Sequence, residues 1–220
     1  MVVRPTVRFA QPKPTEELNA NGDTTPGSGN LWKSFVSAND RNEFLGYELA
    51  QVNIGTLTQV ASGNVEASTL QLQDSGREVR AGDRLVPVQT NPYDLQFFPH
   101  VPANAPAPGQ LRVLAVTDTF TSGGPRDVIA ISGGAREGIN NGTVFSIWRS
   151  GSFVAHRMQY PGSSRMDDAL KTGAGRVSLP DEYAAHAMVF RTFDKVSYAL
   201  IMEGTKPTRV GYELKHPDAQ

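Results

Sequence analysis

Three stretches of this chain repeat one pattern: an apolar or alternating strand, a short polar turn, a glycine, and an apolar residue three places beyond it. The pattern reads ASTLQLQDSGREVRAGDRL over residues 67–85, DVIAISGGAREGINNGTVF over 127–145 and SYALIMEGTKPTRVGYEL over 197–214. Gly82, Gly142 and Gly211 align, as do Leu85, Phe145 and Leu214. Val79 and Ile139 align with Thr208, which makes the third copy degenerate. A glycine held at one place in a strand–turn–strand unit answers a backbone need, either a positive φ or a close approach. The three glycines are therefore read as structural turn residues. Units of this kind build small barrels of SH3-like type, so the chain is expected to be mainly β.

A length of 220 residues allows one large domain or two small ones. The content of 21 Gly and 15 Pro fits short strands joined by turns, with some unstructured chain. Residues 1–42 are expected to be a largely disordered N-terminal segment, because PKPTEELNANGDTTPGSGN is too polar to offset its ordering entropy. A first β unit is expected over 43–90, where GYELAQVNIGTLTQVAS and ASTLQLQ alternate. Pro87 marks an edge position there, since it cannot donate to a ladder. NPYDLQFFPHVPANAPAPGQ, residues 91–110, reads as a proline-rich linker. A second, larger β region follows over 111–217, with strands in LRVLAVTDTF, DVIAIS, TVFSIWRSG, AHAMVFRTF and VSYALIMEG, and a short helix near Met166–Lys171.

The chemistry of enzymes is hard to find. With no cysteine, disulfides, thiolate metal sites and a Cys nucleophile are excluded. His100, His156, His186 and His216 show no metal-ligand spacing, and no metal or cofactor is expected. Ser132 follows a strand, but GGARE after it reads as a loop, without the elbow of a hydrolase nucleophile. SGGPRD, SGGARE and the glycines at 173 and 175 lack a phosphate-loop or dinucleotide pattern. Asp181 and Glu182 are adjacent, so on a strand they face opposite sides and make no glycosidase pair together. Trp32, Trp148, Tyr47, Tyr160, Tyr183 and Tyr198 are candidates for a sugar-stacking surface. In FSIWR, Phe145 and Ile147 share one face and Trp148 takes the other. A net charge of −1 gives no footprint for nucleic acid, and no apolar run is long enough for a transmembrane helix. The start, MVVRPTVRFAQPKP, has no continuous apolar core of a signal peptide, which on its own terms implies a cytoplasmic chain.

LGYELAQV, GREVRAGDRLVP, ISGGAREGINNGTVFSIWR and LPDEYAAHAMVFRTFDKVSYALIMEGTKPTRVGYELKHP together resemble the C-terminal region of LysM peptidoglycan-binding domain proteins of proteobacteria. The similarity runs from Glu43 to Pro217 and is strongest from Leu179 onward. It implies a periplasmic or cell-envelope protein whose partners are peptidoglycan or other envelope proteins. The LysM module of that family has no counterpart in this sequence, so its glycan-contacting residues transfer to no position here. The function expected from residues and resemblance together is a non-catalytic binding or scaffolding region. The alternatives are a cell-wall carbohydrate-active enzyme or peptidase using carboxylates from separate strands, and a spacer or oligomerisation module.

Overall fold

The structure is a computed structural model that describes residues 1–11, 43–63, 65–73, 76–88, 97–117, 122–151, 153–156, 158–159 and 176–219. It is mainly β, and the chain divides into two compact units. The first is built on β1 (Val2–Ala10), β2 (Phe44–Asn53), β3 (Gly55–Gln59), β4 (Thr69–Leu72) and β5 (Arg84–Leu85). Its three-stranded sheet runs β2-β1-β5, and β3 and β4 form a separate antiparallel ribbon. Val2, Val3, Phe9 and Val52 are buried in this unit. Arg4 clamps the far end of the unit with a two-pronged contact, Nε and Nη2 to the Asp83 carboxylate at 2.7 and 2.8 Å. β1 departs from the sequence expectation, which placed residues 1–42 in an unstructured lead. VVRPTVRF carries enough β-branched residues to pair on both sides, and burial of Val2 and Val3 offsets the ordering cost. Of that lead, 12–42 lie outside the described residues, as does the helix expected at 166–171.

The second unit holds β6 (Val113–Val116), β7 (Ser122–Gly123), β8 (Val128–Ile131), β9 (Val144–Arg149), β10 (Phe153–Ala155), β11 (Arg176–Ser178), β12 (Glu182–Thr192), β13 (Ser197–Gly204), β14 (Thr208–Arg209) and β15 (Glu213–Lys215). Six of these make one antiparallel sheet in the order β15-β9-β12-β13-β8-β6. The two ends of that sheet meet. Arg112 and Glu213 bridge antiparallel, Val113 N–H donates to Tyr212 O at 2.9 Å and Leu214 N–H donates to Leu111 O at 2.9 Å. The sheet thus curls into a barrel-like ring whose ends are joined by these contacts. Inward residues alternate along each strand. Ile129, Ile131, Phe145, Ile147, Val189, Ile201 and Leu214 are all essentially inaccessible. Each contributes about 1.5–3 kcal/mol by leaving water.

The aligned glycines occupy one kind of turn. In Arg80–Asp83, Asn140–Thr143 and Arg209–Tyr212 the fourth N–H donates to the first carbonyl, at 3.1, 3.2 and 3.2 Å. The third residue is Gly82, Gly142 or Gly211, with φ of +98°, +96° and +85°. That is the type II turn, which demands a positive φ at its third position. A further copy went unseen in the sequence. Gly124–Asp127 has the same bond at 3.1 Å and the same backbone, but its third residue is Arg126, with φ +76°. Asp127 at the fourth position accepts from Gly124 N–H at 2.7 Å, as Asp83 accepts from Arg80 N–H at 2.8 Å.

Three places past the turn residue come Ile129, Phe145 and Leu214, all in the barrel core. Leu85, the aligned residue of the first copy, is 61 % exposed instead. It lies on a two-residue edge strand of a three-stranded sheet, a position with little to bury it.

The proline-rich stretch expected to separate two units belongs, over its described part, to the second. His100 N–H donates to Gly142 O and Val144 N–H to His100 O, both at 2.9 Å. A Cβ on Gly142 would stand 2.3 Å from Phe98 O, so this glycine serves both needs read from the sequence, the turn and a close approach.

Candidate binding site

The register of the barrel sets out two rows of side chains on its outer face. Directly paired residues of antiparallel strands point to the same side. Tyr183 pairs with Trp148, Trp148 with Glu213, and Glu213 with Arg112. In the next row Glu203 pairs with His186, His186 with Ser146, and Ser146 with Lys215. Three residues apart on a regular strand, Tyr183 and His186 would face opposite ways. A bulge between Tyr183 and Ala185 inserts one extra residue against β9 and turns both to the outside. A second register shift, at His186/Ala187 against β13, brings Glu203 opposite His186.

These groups hold one another in place. The Tyr183 hydroxyl lies 2.6 Å from His186 Nδ1, and His186 Nε2 lies 3.3 Å from Pro217 O. A carbonyl can only accept, so in the neutral ring Nε2 carries the proton and Nδ1 accepts from Tyr183. Burial, then the charge of Glu203, pushes the Tyr183 hydroxyl above its ordinary pKa. Trp148 meets Tyr183 edge to face at 5.6 Å, and Lys215 Nζ stands 5.3 Å from the centre of the Trp148 ring. Trp148 Nε1–H donates to Ser146 Oγ at 2.9 Å, whose own hydroxyl donates to His216 O at 2.6 Å. Lys215 also pairs with Asp181. Burial raises the Asp181 carboxyl, but Lys215 and the Gly151 N–H outweigh it and hold it below the usual range. The result is a half-buried aromatic and polar face with fixed rotamers.

The residues singled out in the sequence scatter. Ser132 is buried and its hydroxyl accepts the Arg112 N–H at 2.8 Å, a structural role. Asp181 and Glu182 take different partners, Lys215 for the first, Lys206 and Arg149 for the second. His100 binds Phe98 O and Asn140 Oδ1, His156 is exposed, and His216 borders the face through its backbone carbonyl while its ring accepts the Asp218 N–H. Of the four aromatic candidates among the described residues, Trp148 and Tyr183 are in contact. Tyr198 stacks against Phe193, Tyr47 is exposed in β2, and Trp32 and Tyr160 lie outside the described residues. GGARE, read from the sequence as a loop after Ser132, is buried at its start. Gly133 and Gly134 are buried, Gly133 against Leu111 and Ile139, and a short 3-10 turn follows at Ala135–Glu137. Ser146 and Lys215 were missed, and the sequence did not place His186 or Glu203 beside the aromatic pair, because a bulge leaves no trace in alternation.

Among the described residues no group of three or more His, Cys, Asp or Glu could hold a metal ion. No helix of the described residues is long and apolar enough to cross a membrane. A cleft of about 180 Å³ opens between Pro102–Pro106 and Leu111, Glu137 and Ile139. That is below the roughly 300–1,000 Å³ of typical small-molecule sites. The chain matches no family model, no curated protein and no solved structure with which it was compared.

Proposed function

We propose that this chain is a non-catalytic binding and scaffolding region of a LysM-type, peptidoglycan-associated envelope protein, and that the Trp148–Tyr183 face of its second unit is the surface it presents. The observation that supports this is the bulge in β12, which turns Tyr183 outward beside Trp148 and His186 on a closed, rigid scaffold. An open face with amphipathic rings suits a polymer better than an enclosed pocket would, since rings with a polar handle bind where one side is apolar and the other wet. The polar groups of the face are engaged with each other, which suits recognition more than turnover. Periplasmic or envelope localisation belongs to the same proposal and rests on the sequence resemblance.

Co-sedimentation of the purified chain with bacterial sacculi tests it. The chain is expected in the pellet, and Trp148→Ala and Tyr183→Ala, each checked for intact fold by circular dichroism, lose about tenfold or more in retention, the size expected of an anchoring ring. Equal retention of both variants removes the face from the reading. Soluble sugar or peptide fragments accumulating with time would make the chain a cell-wall enzyme instead.

A further inference from the structure

Five turns among the described residues share one backbone, and four carry glycine where φ is positive, Gly82, Gly109, Gly142 and Gly211. The fifth carries Arg126 at φ +76°. A side chain in the left-handed region crowds its own carbonyl, a cost that glycine avoids. Nothing in the turn demands arginine. Pro125 fixes its own φ at the second position, Asp127 caps the Gly124 N–H, and Arg126 N–H donates to Ile201 O at 2.8 Å through the backbone alone. The Arg126 side chain is exposed, and no carboxylate of a described residue stands within ion-pair distance of it. Arg126 thus combines a strained backbone with a solvent-facing guanidinium that no carboxylate among the described residues engages. Strain of this sort persists where the side chain has another task.

We propose that Arg126 is a carboxylate-binding residue, and that its ligand is the acidic part of the same polymer that the Trp148–Tyr183 face engages. This rests on the function proposed above. The turn is bonded on both sides of Ile201, since Arg126 N–H donates to Ile201 O and Ile201 N–H to Asp127 O, and Glu203 of the face lies two residues further along β13. A guanidinium presents a planar fork that matches a carboxylate with two parallel hydrogen bonds. A short turn fixed by three backbone bonds and a proline holds that fork with little further entropy to lose.

The test uses Arg126→Gly in the full chain, read by melting temperature and by two binding probes. Arg80→Ala, which removes an exposed arginine of the first unit, is the control for losing one surface charge. Relief of strain raises the melting temperature of Arg126→Gly by about 2–4 °C. Retention on poly-glutamate resin and on sacculi falls by about tenfold, well beyond the effect of Arg80→Ala. Sacculi whose carboxylates have been converted to amides bind wild type and variant alike, whereas removal of phosphate from sacculi changes nothing. An unchanged melting temperature, or retention on both probes no weaker than that of Arg80→Ala, overturns the assignment. So does a loss of wild-type binding that follows phosphate removal alone. If wild type ignores sacculi but its retention on poly-glutamate depends on Arg126, the assignment stands and the peptidoglycan reading falls.

Discussion

Arg112 and Glu213 face each other across the line where the first and last strands of the barrel meet, and they are 4 % and 6 % exposed. Glu213 is held through both of its carboxylate oxygens. Its Oε1 accepts the Gly109 N–H at 2.6 Å and its Oε2 accepts the Ser150 hydroxyl at 3.4 Å. It thus ties the segment before β6 to the strand that closes the ring. Glu213→Ala leaves a buried N–H without an acceptor and is expected to cost at least about 1–3 kcal/mol. Glu213→Gln, which keeps an acceptor oxygen, is expected to lose less. Denaturant unfolding of the three proteins measures the order.

Gly142 and Gly138 separate the two demands a glycine can meet. Both have a positive φ, +96° and +79°, but only Gly142 has a backbone carbonyl where a Cβ would go. Gly138→Ala carries the cost of the left-handed conformation alone, about 1–2 kcal/mol. Gly142→Ala must also displace Phe98 and is expected to cost clearly more. The displacement is read independently as faster amide exchange at His100 and Val144, whose N–H groups donate to Gly142 O and His100 O.

Thr208 stands where other copies of the turn carry Val79, Ile139 or Gly123. It is fully buried, and its hydroxyl has no hydrogen-bond partner among the described residues. Thr208→Val keeps the shape and removes the unsatisfied group. It is expected to leave the fold unchanged and to raise stability by up to about 1 kcal/mol, measured as a shift in denaturation midpoint at constant slope. A loss of stability would mean that the hydroxyl has a partner.

The Arg4 guanidinium, with help from the Arg80 N–H, lowers the Asp83 carboxyl to about 2. An unfolded aspartate titrates near 3.9. The folded pKa is the lower one, so this contact stabilises above about pH 4, and its contribution is lost as pH falls from about 4 through 2. Asp83→Asn is therefore expected to unfold earlier than wild type at pH 6 and to approach it at pH 2. A carboxyl chemical-shift titration of Asp83 checks the midpoint directly.

Much of the β architecture was legible in the residues because its signals are local. Alternation in VFSIWR sends Phe145 and Ile147 inward and Trp148 outward, and the spacing of Gly82, Gly142 and Gly211 marks a recurring turn. The Gly124–Asp127 turn was illegible because its third residue is not glycine, and only the φ of Arg126 reveals it. The strand at Val2–Ala10 was illegible because PKPTEELNANGDTTPGSGN, which follows it, dominated the reading of the N-terminal segment.

The candidate face divides along the same line. By itself the sequence determined which residue types were available and, through period-two alternation, that Trp148 leaves the core. Alternation is a property of one strand and needs no partner. Only the tertiary structure decided that Tyr183 and His186 share a side, that Glu203 joins them, and that Arg112 meets Glu213 across 101 residues of chain to close the ring. Bulges and ring closure are set by pairing between strands, where burial on the inner face fixes the register. A register is a relation between two distant segments that neither segment encodes alone.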